Sequence, residues 1–174
     1  MLKKFSVLMI SFAAAATFYA CGDSSSGPAT SGTSEWREYC LDVINKYRAS
    51  ESKAALTLAD ESKQNCADKQ SANDMASNKA HGHFKDCGEF AQNSGSNISL
   101  SWVGSDSAIV DTYLEMMWDE KKLIESGERD PNKDSDFSYI GHYLNMSRKS
   151  AKSVACGLAK SADGTKAWFN VNFY

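Results

Sequence analysis

The sequence predicts an α+β domain on three observations. Apolar residues recur at helical spacing after Ser34 and again after Asp106; a stretch of alternating residues runs from Tyr139 to Met146; and the C-terminal segment reads as a β-hairpin. Helical stripes interleaved with short strands, in a chain whose folded part is about 140 residues long, fit one domain with one core.

The first helix takes Ser34 as its N-cap and carries Trp36, Tyr39, Cys40, Val43, Ile44 and Tyr47 as an apolar stripe. Asn45 and Arg48 lie three apart in it and share a face. Ala55 to Asp60 leads into a second helix capped by Asp60, with Cys66, Ala67, Gln70, Ala72, Met75 and Ala76 as a small-residue face for close packing, ending near Lys79. Ser94 to Asp106 reads as a Ser/Gly loop with one apolar piece, Ile98 to Val103. Ser105 or Asp106 then caps a helix through Ile109, Val110, Tyr113, Met116, Met117, Trp118 and Leu123. A charged loop from Glu125 to Asp136 follows.

The alternation of Tyr139, Gly141, Tyr143 and Asn145 against Ile140, His142, Leu144 and Met146 predicts a strand that places His142 on the Ile140 and Leu144 face. His142 is then either a core histidine satisfied by a carbonyl or a ligand or acid–base group on a cleft floor. A turn from Ser147 to Ser153, a strand from Val154, a turn at Asp163-Gly164 and a last strand from Ala167 to Tyr174 complete the chain, with no cysteine-rich module expected beyond.

Met1-Leu-Lys-Lys followed by Phe5 to Ala16 has the charged start and short apolar run of a secretory signal. Ala20-Cys21-Gly22 resembles a bacterial lipoprotein cleavage box, which predicts a signal peptide over 1–20, a lipidated Cys21 and a Ser/Gly/Thr-rich linker to residue 34; the alternative is a simply secreted chain. A lipid on Cys21 would anchor the domain, 35–174, to a membrane without spanning it. Without Cys21 the five cysteines become an even set, Cys40, Cys66, Cys87 and Cys156, as two disulfides require in an oxidising compartment. The formal net charge of -3, from 19 basic and 22 acidic residues, gives no basic field for nucleic acid, and Arg148, Lys149 and Lys152 read as a solvated turn. A monomeric domain is expected.

All three histidines fall in two segments, His81-Gly-His83 with Cys87-Gly-Glu89 shortly after, and the His142 stretch. His-x-His alone is a weak metal signal, with a structural role the usual outcome. Gly141-His-Tyr-Leu-Asn-Met, a short gap, then Val154-Ala-Cys-Gly resembles the paired signature of the CAP superfamily, which holds the cysteine-rich secretory proteins, antigen 5 and pathogenesis-related 1 proteins; Leu144-Asn145 stand where that family has Thr-Gln. Asn45-Lys-Tyr-Arg48 is similar to the family's His-Asn-x-x-Arg less the histidine, Cys87-Gly88-Glu89 to its Cys-Gly-Glu-Asn, and Trp118-Asp-Glu120 to its Trp-x-x-Glu with the tryptophan displaced by one.

The resemblance implies a three-layer α-β-α sandwich with a mostly antiparallel sheet. It also implies a cleft where His81 (or His83), Glu89, Glu120 and His142 converge, with Asn45 and Arg48 as structural anchors. His81 is favoured over His83 because Gly82 resembles the family's His-Ser. Disulfides Cys40–Cys66 and Cys87–Cys156 are the favoured pairing of three possible. Zinc or another divalent metal would be held by His81, with His83 the alternative, and His142. Two function classes follow: a lipid-anchored extracytoplasmic binding module for a lipid, glycan or peptide, and a metal-dependent hydrolase, peptidase or esterase, with Glu89 or Glu120 as general base. No Gly-x-Ser-x-Gly or His-Glu-x-x-His motif supports the second.

Overall fold

A computed structural model of the protein describes residues 31–174, with side chains from residue 35; the expected signal segment, Cys21 and the linker up to residue 30 lie outside the described residues. In chain order the elements are α1 (Ser31–Ser50), β1 (Thr57–Leu58), α2 (Glu61–Ser77), β2 (Ala91–Ser99), α3 (Leu100–Val103), α4 (Asp106–Asp119), α5 (Lys121–Glu125), a 3-10 turn (Asp134–Asp136), α6 (Phe137–Ser147), β3 (Ser153–Lys160) and β4 (Lys166–Phe173). The sheet order is β1-β3-β4-β2, antiparallel except for the short β1–β3 pair. Helix α2 covers one face, and α1, α4 and α6 form the layer on the other.

Two neighbouring residues of β3 show how the layers are spaced. Side chains alternate across a strand, so Cys156 and Gly157 point to opposite faces. Cys156 is disulfide-bonded to Cys40 on α1. A Cβ on Gly157 would lie 2.2 Å from the backbone of Ala67, so only glycine lets α2 come this close. The same alternation runs along β4. Phe169, Val171 and Phe173 join Ile44, Ile98, Ile109 and Leu114 in the apolar core. Asn170 and Asn172 turn to α2, where their amides donate to Asp74 and Gln70.

Asp60 caps α2, its carboxylate accepting from the Lys63 N–H at 3.0 Å, and Ser105 caps α4 in the same way from Ala108 at 3.2 Å. Four local expectations are corrected. Helix α1 opens at Ser31, a turn before Ser34. Residues 139–146 are helical, not a strand: Ile140, Gly141, Asn145 and Met146 are its buried positions, which is helical spacing, and the period of two that the sequence offered is ambiguous in so short a run. His142 therefore leaves the Ile140 side and is half-buried. The Ser/Gly loop is mostly β2, whose poor strand formers are held by pairing with β4 from Ala91 to Gly95 and again, past a bulge, at Ile98 and Ser99.

The face α2 presents to the sheet is polar, with Gln64, Gln70, Ser71 and Asp74 buried beside Ala67, while Ala72 and Ala76 are exposed. The disulfides are Cys40–Cys156 and Cys66–Cys87, opposite to the favoured pairing. The reason is the layering: α2, which carries Cys66, lies across the sheet from α1, so Cys40 reaches through to β3 while Cys66 ties down the loop that follows its own helix.

Candidate functional site

The site is assembled from both faces at the start of β2. Gln92 and Asn93 are adjacent, so their side chains point to opposite sides of the sheet. Gln92 faces α2: its Nε2 donates to Asn172 Oδ1 at 2.9 Å, which leaves its Oε1 as the acceptor for His81 Nδ1, also at 2.9 Å. Asn93 faces α6: its Nδ2 donates to the His142 carbonyl at 3.0 Å and its Oδ1 accepts from Asn145 Nδ2 at 3.0 Å. One dipeptide thus places both histidine segments.

The segment carrying His81 and His83 is hung on α2. Asp74, fully buried, accepts the His83 N–H at 3.0 Å and His83 Nδ1 at 2.9 Å. Gln70 Nε2 donates to the His83 carbonyl and to Glu89 Oε1, both at 2.7 Å. Glu89, 2% exposed, also takes the N–H groups of Lys85 at 2.6 Å and Cys87 at 3.1 Å. Its carboxylate organises the turn that the Cys66–Cys87 disulfide closes. His81 itself has a left-handed φ of 59°, a conformation unusual outside glycine, and its ring leaves the α2 face for the cleft.

The other half is set by Glu120, at the break between α4 and α5. Its Oε1 accepts from His142 Nδ1 at 2.6 Å, and its Oε2 accepts the N–H groups of His142 at 2.9 Å and Tyr143 at 3.1 Å. Beneath it Tyr143 packs edge-on against Trp118 at 5.1 Å and donates to Glu51 at 2.9 Å. Burial first, and then the Glu51 carboxylate, push the Tyr143 hydroxyl up to about 12. The end of α6 is held by Arg48, 1% exposed, which donates to the carbonyls of Ala54, Met146 and Arg148. Asn45 clamps the strand after α1 with a reciprocal pair to Leu56, at 3.0 and 2.8 Å.

His81 and His142 line one cleft of 350 Å³ with Gln92, Phe137, Ser138 and Asn145. Each Nδ1 faces an oxygen acceptor, so in the neutral ring the proton sits on Nδ1 and Nε2 keeps a lone pair. His83 is turned to Asp74 and does not line this cleft, and neither glutamate lines it. Among the described residues no group of three or more His, Cys, Asp or Glu is arranged to hold a metal ion. Zinc takes three protein ligands in catalytic sites and four in structural ones, and two imidazoles with both glutamates already bonded do not fit that requirement. From the sequence, Gln70 stands out only as part of a packing face and Asn145 only in an alternating run and a family motif, while Asp74 carries no signal and neither do Gln92 and Asn93, because polar residues in a strand without alternation give none.

A three-layer sandwich with a histidine-lined cleft where β2 meets α6 defines the class of domain. The sequence profile described as the cysteine-rich secretory protein family, CAP, matches residues 41–173, and the chain belongs to that family. Among solved structures it is similar to Na-ASP-1, with a TM-score of 0.54 and 18% identity over 78% of this chain and 38% of that one. It is similar to BmVAL-1 as well, with a TM-score of 0.57 and 16% identity over 84% of this chain and 79% of that one. Thus it spans little more than a third of the Na-ASP-1 chain, and at these identities the likeness is one of fold. Comparison with curated proteins returns no match. Family membership and two disulfides identify an exported domain working in an oxidising compartment.

Proposed function

We propose that the protein is an extracytoplasmic binding module, tethered to a membrane by a lipid on Cys21, whose ligand enters the cleft between His81 and His142. The observation that carries this is the state of the four side chains taken together. Both imidazoles are fixed by their Nδ1 bonds and keep Nε2 for a ligand, while Glu89 and Glu120 spend their carboxylates on the backbone and on His142. A general base has to reach a water or a substrate proton, and a carboxylate with every short contact occupied by its own fold is a positioning group. The hydrolase reading would need one of them released.

The test is a fragment library followed by amide chemical shifts in the folded domain, alongside a peptide and ester substrate panel. Hits should move His81, Gln92 and His142 together and be lost in His142→Ala. Turnover of any substrate that vanishes in Glu120→Gln would instead establish the enzyme. For the tether, Cys21→Ser should release the protein from membranes; an unchanged membrane fraction would sink that half of the reading.

A further inference from the structure

The cleft does not end at the histidines. A second compartment of 330 Å³ adjoins it, sharing His81, Gln92, Phe137 and Asn145, and adds Phe84, Phe90 and Arg148. Its walls are aromatic and unusually open: Phe90 is 40% and Phe137 48% exposed. At its rim the Arg148 guanidinium lies 5.3 Å from the Phe90 ring centre. Arg148 forms no ion pair among the described residues, although its backbone is pinned on both sides, its N–H to the Asn145 carbonyl and its carbonyl to Arg48. An unpaired cation on a fixed backbone beside an apolar hollow is complementary to a carboxylate next to an apolar group.

The adjoining compartment adds a further requirement. Asn145 lines both compartments, but its Oδ1 has less than 1 Å² of surface and is closed to a ligand. The open acceptors are the Nε2 atoms of His81 and His142, and they favour a ligand that brings an N–H. An acyl chain supplies none, and a free carboxylate supplies none. A peptide has the N–H, the terminal carboxylate and the side chain at the required close spacing, and its preceding backbone suits the polar compartment with His81 and His142.

We propose that the cleft captures the C-terminus of a peptide ending in a large apolar residue. The carboxylate pairs with Arg148, the last side chain lies among Phe84, Phe90 and Phe137, and the preceding backbone faces His81 and His142. This deepens the binding-module reading and rests on it.

The test uses fluorescein-Gly-Gly-Ser-X, with X Phe, Leu or Gly, each as free acid and C-terminal amide, titrated by fluorescence polarisation against the folded domain. The Phe and Leu acids should bind at least tenfold more tightly than their amides and than the Gly acid. In Arg148→Ala, an exposed position whose variant should keep the circular dichroism spectrum of the unaltered domain, the acid and amide should bind alike. Equal binding of acid and amide to the unaltered domain, or no binding of either, overturns the proposal. So does decanoate displacing the peptide with the same dependence on Arg148 and at lower concentration, which would mark an amphiphile site. Peptide binding that ignores Arg148 but is lost in His142→Ala would leave the binding-module reading standing, whereas binding indifferent to both would remove the two together.

Discussion

The two faces of the sheet are built from different chemistry. On the α1, α4 and α6 side, Phe169, Val171 and Phe173 meet aliphatic side chains, and stabilisation there comes from apolar area removed from water. On the α2 side, Gln70, Asp74, Glu89, Asn170 and Asn172 form a buried network of amides with two carboxylates, in which Asp74 also bonds His83, and Gln64 lies buried against the β3 backbone. Apolar contacts are non-directional, while a buried amide network has one arrangement in which its members are satisfied. The first face therefore holds the domain together; the second fixes where the histidine segment lies. Each has its own disulfide, Cys40–Cys156 through the apolar layer and Cys66–Cys87 from α2 to the segment beyond His83.

The first disulfide separates the two faces most strongly. Cys40 and Cys156 are 116 residues apart, and closing a loop of that order is worth about 4–5 kcal/mol by chain entropy. The double alanine variant should lose about that much in denaturant unfolding yet, where still folded, keep the amide shifts of His81 and His142. Next is Gly157→Ala. Backbone meets the new Cβ, so neither side can swing away, and a loss of about 3 kcal/mol is expected, together with displacement of the His83 segment as α2 is pushed outward. An unchanged His81 and His83 environment would show that α2 does not position the site. Gln70→Ala should cost less, about 2 kcal/mol, because partners left unsatisfied include Glu89 and the His83 carbonyl. Its effect on the cleft should exceed that of the disulfide variant, reversing the order of the stability losses; a stability loss without altered His81 shifts would contradict the division between the faces.

The smallest effect lies far from both faces. In the β3–β4 turn, bonds from the Ser161 hydroxyl and from the Thr165 backbone and hydroxyl hold the Asp163 carboxyl down at about 2. A carboxyl depressed below its unfolded value, about 3.9, stabilises the fold above that value and ceases to as pH falls toward 2. Hydrogen exchange at the Thr165 amide should quicken between pH 4 and 2 while the His83 amide, held by Asp74, keeps its own profile; identical profiles would mean that one global opening governs both.

The sequence alone determined the α+β class, the family, the second and fourth helices with their caps and the C-terminal hairpin, because these depend on apolar period, capping side chains and short motifs that act within a few residues. It also marked the two segments that meet in the cleft. It did not determine that His142 rides on a helix, that β2 is a strand, that α2 shows the sheet its amides or how the four cysteines pair. Those features depend on partners distant along the chain. Gln92 takes its meaning from Asn172, Asp74 from Asn170, and Cys156 from the face of β3 on which it falls. Polar side chains are buried only where tertiary neighbours satisfy them, so their roles were settled by packing and not by local pattern.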